Sequence, residues 1–225
     1  FAVSALLVSG LRSGTTAHQP EHGLLGRLAN ATRFLWNERV VRRAVLVAAT
    51  AQMSAAVVEA LVVVDVETHL HAPSAAIGVL SAALPIGFLL TISLIRTDRG
   101  DRESLRLSAL VILVGSAISV VGFAVQLSWP VAILPYAGVG IRVTSLVPAN
   151  TVGTPRIPTA IRGSAIGVLQ STIIGSQALG AILGGVVASA YGTPTALTAA
   201  MVPCLLVSAF ALLQPVPVTD AAFAH

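Results

Sequence analysis

The stretch from residue 74 to residue 106, SAAIGVLSAALPIGFLLTISLIRTDRGDRESLR, decides how the whole chain is read. Its first 22 residues, Ser74–Ile95, carry no charge. The next 11, Arg96–Arg106, hold four arginines and three acids. A helix of about 20 apolar residues crosses the hydrocarbon core of a bilayer. A dense charged turn directly after one marks its return to water.

The same alternation recurs on both sides. Apolar stretches that qualify as spans lie at about 44–64, 74–95, 107–127, 130–149, 165–190 and 195–213. Backbone groups in lipid must be bonded internally, so these are expected to be helices. A β-barrel would show alternating segments of about ten residues, and none appears. The composition agrees. Of 225 residues, 55% are hydrophobic and only 10% charged, against about 25% charged in soluble domains. That excludes a soluble globular domain, and disorder with it. The lone cysteine, Cys204, leaves no partner for a disulfide within the chain.

The net charge is +4, and all 13 basic residues are arginine. In a soluble protein a basic balance would invite nucleic acid as partner; here it is topology. Running from Leu11, the connections hold six, none, four, none, two and no arginines. This is the positive-inside pattern, and it fixes the even-numbered connections outside. The tail, 214–225, breaks it mildly by carrying no arginine. Residues 1–10 read as the end of a preceding span, so the chain reads as a fragment or one half of a longer protein. Residues 11–43 read as a cytoplasmic connection. Within it Leu24, Leu28, Ala31 and Leu35 recur at helical spacing, as in an amphipathic helix on the membrane face.

The thirteenth arginine, Arg142, falls inside the fourth span, where a charge costs at least about 2.5 kcal/mol and normally faces a cavity or partner. Pro135, Gly138, Gly140 and Pro148 flank it, as in the interrupted helices of transporter sites. The competing reading is an arginine snorkelling to the cytoplasmic headgroups. Glu59 reads as the only acid well inside a span, about five residues from the outer end of the first helix. A carboxylate withdrawn from water can exchange protons near neutrality, which suits a proton-coupled carrier. The competing reading is a hydrated interfacial glutamate. By depth a direct Glu59–Arg142 ion pair is not expected.

Gln52 stands seven positions before Glu59 on the same helix, and Gln170 and Gln177 repeat that spacing on the fifth. Such pairs line a water-filled path or bond helices together. The third and sixth spans hold no strongly polar residue in 111–125 and 196–213 and are expected at the lipid-facing periphery. Two stripes of small residues run along the fifth span: Gly163, Gly167, Ser171 and Gly175, then Thr172, Ser176, Gly180, Gly184 and Ala188. They suit close helix packing, static or sliding. Asp65, Glu67, His69 and His71 alternate in the second connection, so an extended loop would turn all four one way. Chance explains that pattern better than a metal site. His18 and His22 are separated by Pro20, which argues against a helical pair. Nothing in the chain forms a phosphate loop, a catalytic triad or a cofactor motif.

Six spans, a basic amphipathic segment before the first and a charged turn between the second and third resemble the C-terminal half of a major facilitator superfamily transporter. Residues 98–102, Asp-Arg-Gly-Asp-Arg, are similar to that superfamily's loop motif G-x-x-x-D-R-x-G-R-R, with Leu94 at its first glycine and one residue fewer between Arg99 and Gly100. Arg162–Gly167 with Gly180–Gly185 is similar to the eleventh helix of bacterial efflux members. The resemblance implies an all-α, six-helix half-bundle in the plasma membrane, partnered by an N-terminal six-helix half. It implies transport of a small molecule by alternating access, leaning toward proton-coupled efflux of drugs or metabolites, with no cofactor. It makes Asp98 and Arg99 a cytoplasmic gate and puts Glu59 and Arg142 on cavity helices. Uptake of a sugar or organic anion, or a non-transporting membrane scaffold or truncated half-transporter, are the rival readings.

Overall fold

The computed structural model describes residues 24–92, 101–125, 128–148 and 154–213. Asp98, Arg99, His18, His22 and both terminal segments lie outside them, as does Gln126, a further uncharged polar residue of the third span. All regular structure among the described residues is helical. The seven principal helices are α1 (Leu24–Asn37), α2 (Arg39–Val64), α3 (Ala75–Ile92), α4 (Asp101–Val125), α5 (Ile133–Val143), α6 (Arg162–Tyr191) and α7 (Thr193–Leu213).

Helix α1 is the expected amphipathic segment. Ala31 and Leu35 are buried, and they pack with Val41, Ile157 and Ala165 at one end of the bundle. Arg162 donates from Nε and Nη2 to the Ile157 carbonyl (3.3 and 3.2 Å), fixing the turn that feeds α6.

Helices lie on all six expected spans, and five are long and apolar enough to cross a membrane. The first continues past its expected end. After Val64 a π-helical turn, Asp65–His69, carries it outward, with the Leu70 amide bonded to the Asp65 carbonyl (2.9 Å). Asp65 to His69 are therefore helix and not extended loop. The alternation of Asp65, Glu67, His69 and His71 does not turn them one way: Asp65 is buried and Glu67 exposed.

The fourth span differs most. In place of one helix over 130–149 there is α5, 11 residues long, about 16 Å at 1.5 Å per residue. A turn at Thr144–Ser145 and a short helical piece, Leu146–Pro148, follow. Pro135 sits in the first turn of α5, where a missing N–H costs nothing. The break comes from Pro148, which has no N–H for the Thr144 carbonyl. That carbonyl is taken by the Val147 amide instead (3.0 Å).

Glycines set the crossings. A Cβ on Gly140 would land on the Leu84 carbonyl oxygen of α3, and one on Gly180 would land on the Met53 carbonyl oxygen of α2. Backbones this close are how membrane helices gain dispersion energy, since lipid supplies no hydrophobic drive between them. Helix α6 packs chiefly on α2, α3 and α4 pack on α5, and α4 packs on α7. The third and sixth spans, expected at the lipid-facing periphery, each keep an exposed apolar face: Val114, Ile118, Val121 and Val125 on α4, and Leu206, Phe210 and Leu213 on α7. They pair with each other and bury Ser116, Ser119, Cys204 and Ser208, and α6 has the smallest buried share of the five crossing helices.

Candidate functional site

Arg142 is placed by the short α5. Its side chain is fully buried, 0% exposed, and Nη1 donates to Ser54 Oγ of α2 at 2.8 Å. The Cys204 thiol of α7 lies alongside the guanidinium. Nε and Nη2, the two nitrogens of one edge, find no acceptor within hydrogen-bond geometry among the described residues. Ser54 stands 11 residues beyond Arg43, about 16 Å along the helix and half-way through a core of about 30 Å. Cys204 is likewise central in α7. The guanidinium therefore sits at mid-depth, and snorkelling to the headgroups is not its arrangement. An arginine does not give up its proton in proteins, so the charge stays.

Glu59 has the opposite setting. It is exposed on α2, at the mouth of a cleft of about 250 Å³ lined by Val58, Val62, Ser81, Leu84, Pro85 and Tyr136. The cleft lies where α2, α3 and α5 diverge. Five residues separate Glu59 from Ser54, a turn of roughly 140° around the helix. The carboxylate and the guanidinium thus leave α2 on different sides, and no Glu59–Arg142 pair forms. The helix runs on to His69, ten residues beyond Glu59.

The glutamines do not gather into one site. Gln52 is buried, so it does not share the exposure of Glu59 despite the spacing. On α6, Gln170 is exposed and Gln177 half-buried. The second small stripe, at Gly180 and Gly184, is pressed against Met53 and Val57 of α2. The first, at Gly163, Gly167 and Gly175, has nothing in reach.

Sequence reasoning set Asp65 in a loop and did not single out Tyr136. Asp65 is 4% exposed, and Tyr136 Oη donates to Asp65 Oδ2 at 2.9 Å. The signal was present: buried residues of α2 run 54, 55, 57, 58, 61, 62, and the stripe continued one turn reaches Asp65. The Tyr136 ring is held edge-on by Phe123, with centroids 5.4 Å apart.

Apolar helices closed around so few charges define an all-α, multi-pass membrane protein. The chain belongs to the transmembrane secretion effector family of the major facilitator superfamily, whose model matches residues 1–225. This is a family of membrane transporters and not of enzymes. No curated protein and no solved structure matched.

Proposed function

We propose that the protein exports a small solute across the plasma membrane in exchange for protons, by alternating access. Its six spans work against a second six-helix half, with the solute bound near mid-depth between them. Glu59 carries the proton and Arg142 supplies a fixed positive charge at mid-depth. Gln52, Gln170 and Gln177 provide polar lining, and Asp98 with Arg99 latches the cytoplasmic side.

One observation supports this reading most. Among the described residues, the cleft between α2, α3 and α5 has Glu59 as its only charged lining residue. Binding pockets measure about 300–1,000 Å³, so a cleft of about 250 Å³ is one half's share of such a cavity. A carboxylate at its mouth meets solute and proton in the same space.

The test is Glu59→Gln in the full-length transporter, in everted vesicles acidified by respiration. A compound panel is added and a pH-sensitive dye reports proton release. The parent protein releases protons when a transported compound is added, and Glu59→Gln gives no release. Equal release from both proteins removes Glu59 from the coupling.

A second reading, uptake of an organic anion, is favoured by the unpartnered Nε–Nη2 edge of Arg142. Two parallel N–H donors fit a carboxylate. Cells that accumulate a labelled carboxylate, rather than extrude compounds, would select it.

A further inference from the structure

Tyr136 belongs to two cavities at once. Its ring walls the Glu59 cleft. It also lines a small void of about 20 Å³ with Asp65, His69, Phe123, Pro194 and Leu197. A void of at least about 10–15 Å³ with polar partners holds one water. Here the polar partners are the Asp65 carboxylate, the His69 imidazole and the Tyr136 hydroxyl. Among the described residues, the elements packed around Asp65 bring no other titratable group into this void. Helix α5 contributes Tyr136, α4 contributes Gly122 and Phe123, and α7 contributes Pro194 and Leu197. Glu67, on the same turn as Asp65, is exposed.

Placement and backbone both mark Asp65. It stands 22 residues beyond Arg43, about 33 Å along the helix, so it meets the outer edge of a core of about 30 Å. It opens the single π-helical turn of the described chain, and such turns are frequent at functional positions. His69 closes that turn and is half-exposed. His69, Asp65 and Tyr136 thus line one void, and Tyr136 also lines the Glu59 cleft.

We propose that Asp65 is a second proton-binding carboxylate of the transport cycle, loaded from the outer surface past His69 and sensed by the Glu59 cleft through Tyr136. The proposal rests on the proton-coupled reading above. An ionised Asp65 accepts a charge-assisted hydrogen bond from Tyr136, which ties the outer ends of α2 and α5 together. A proton arriving on the carboxylate cancels its charge and weakens that bond. The hydroxyl is then free to turn away from Asp65, and the side chain that carries it lines the Glu59 cleft.

The experiment is infrared difference spectroscopy, acid minus neutral, on the full-length transporter purified into lipid. The carbonyl stretch of each newly protonated carboxyl group appears as a band. Asp65→Asn removes one band and Glu59→Gln removes another. Tyr136→Phe keeps the Asp65 band but displaces it, because the bonded hydroxyl is gone. The amide that Asp65→Asn introduces still offers Tyr136 an acceptor, and Tyr136→Phe leaves the carboxylate in place, so either variant alone can report. An Asp65→Asn spectrum equal to the parent's overturns the proposal. So does a Tyr136→Phe spectrum in which the Asp65 band keeps its position. Loss of the Asp65 band with no Glu59 band supports Asp65 and removes Glu59 instead, so the two readings fail separately.

Discussion

The bundle has a closed side and an open side, and α2 faces both. On the closed side Ser54, Arg142 and Cys204 are each 0% exposed, and Gly140 brings α5 against the backbone of α3. On the open side Glu59, Ser81 and Pro85 are exposed around a cleft. Both sides hold a charge, but only one leaves that charge exposed. Where a membrane helix puts an ionisable group matters less than which neighbour's backbone comes close enough to cover it. Gly140 sets the close α3–α5 crossing, and Pro85, within α3, lines the cleft.

The contrast breaks most sharply at two glycines. Gly140→Ala puts a methyl on the Leu84 carbonyl, which is backbone and cannot swing aside. The helices must separate, and overpacking of this kind costs about 1–3 kcal/mol or more. Gly78, one turn before Ser81 on the open side, has nothing within 4 Å of an added Cβ. Gly78→Ala should raise stability by about 0.5–1 kcal/mol through helix propensity alone. Thermal unfolding of the purified variants in detergent measures both. Equal effects would mean that the two sides are packed alike.

An effect of similar size to that of Gly140→Ala is expected at Ser54. Ser54→Ala removes the hydrogen bond to Arg142 Nη1. A hydrogen bond to a charged group contributes about 1.5–3 kcal/mol. Glu59→Gln, on the open side, should change stability by less than about 0.5 kcal/mol, as surface substitutions do. A neutral Ser54→Ala in the same melts would show that the guanidinium is held by something else.

Much of this was legible in the sequence. Hydropathy placed the spans because lipid forces each backbone to satisfy itself within one helix. The spacing of Leu24, Leu28, Ala31 and Leu35 gave α1 for the same reason that any amphipathic helix is readable. Arg142 stood out because charge inside a span is rare. What escaped was tertiary. Nothing local says that the turn forced by Pro148 would leave α5 only 11 residues long. Ser54 and Cys204 are ordinary residues until α5 sets Arg142 between them. Asp65 was misplaced because a run of polar residues, Asp65 to His71, resembles a loop, whereas the helix continues through it by widening one turn.

The smallest change with a clear readout is at Cys204. Cys204→Ser keeps the shape of the side chain and sets a hydroxyl acceptor beside the Arg142 guanidinium, so the protein should fold with little loss. In that background a single Glu59→Cys gives a thiol at the cleft mouth. A membrane-permeant maleimide should label it readily in the folded protein, while native Cys204, buried against Arg142, stays unlabelled until denaturant is added. If Cys204 in the parent reacts as fast as the thiol that Glu59→Cys introduces, the closed side opens during the protein's ordinary motion. Arg142 would then join Glu59 in meeting solute, and the contrast between the two charges would become one of timing rather than position.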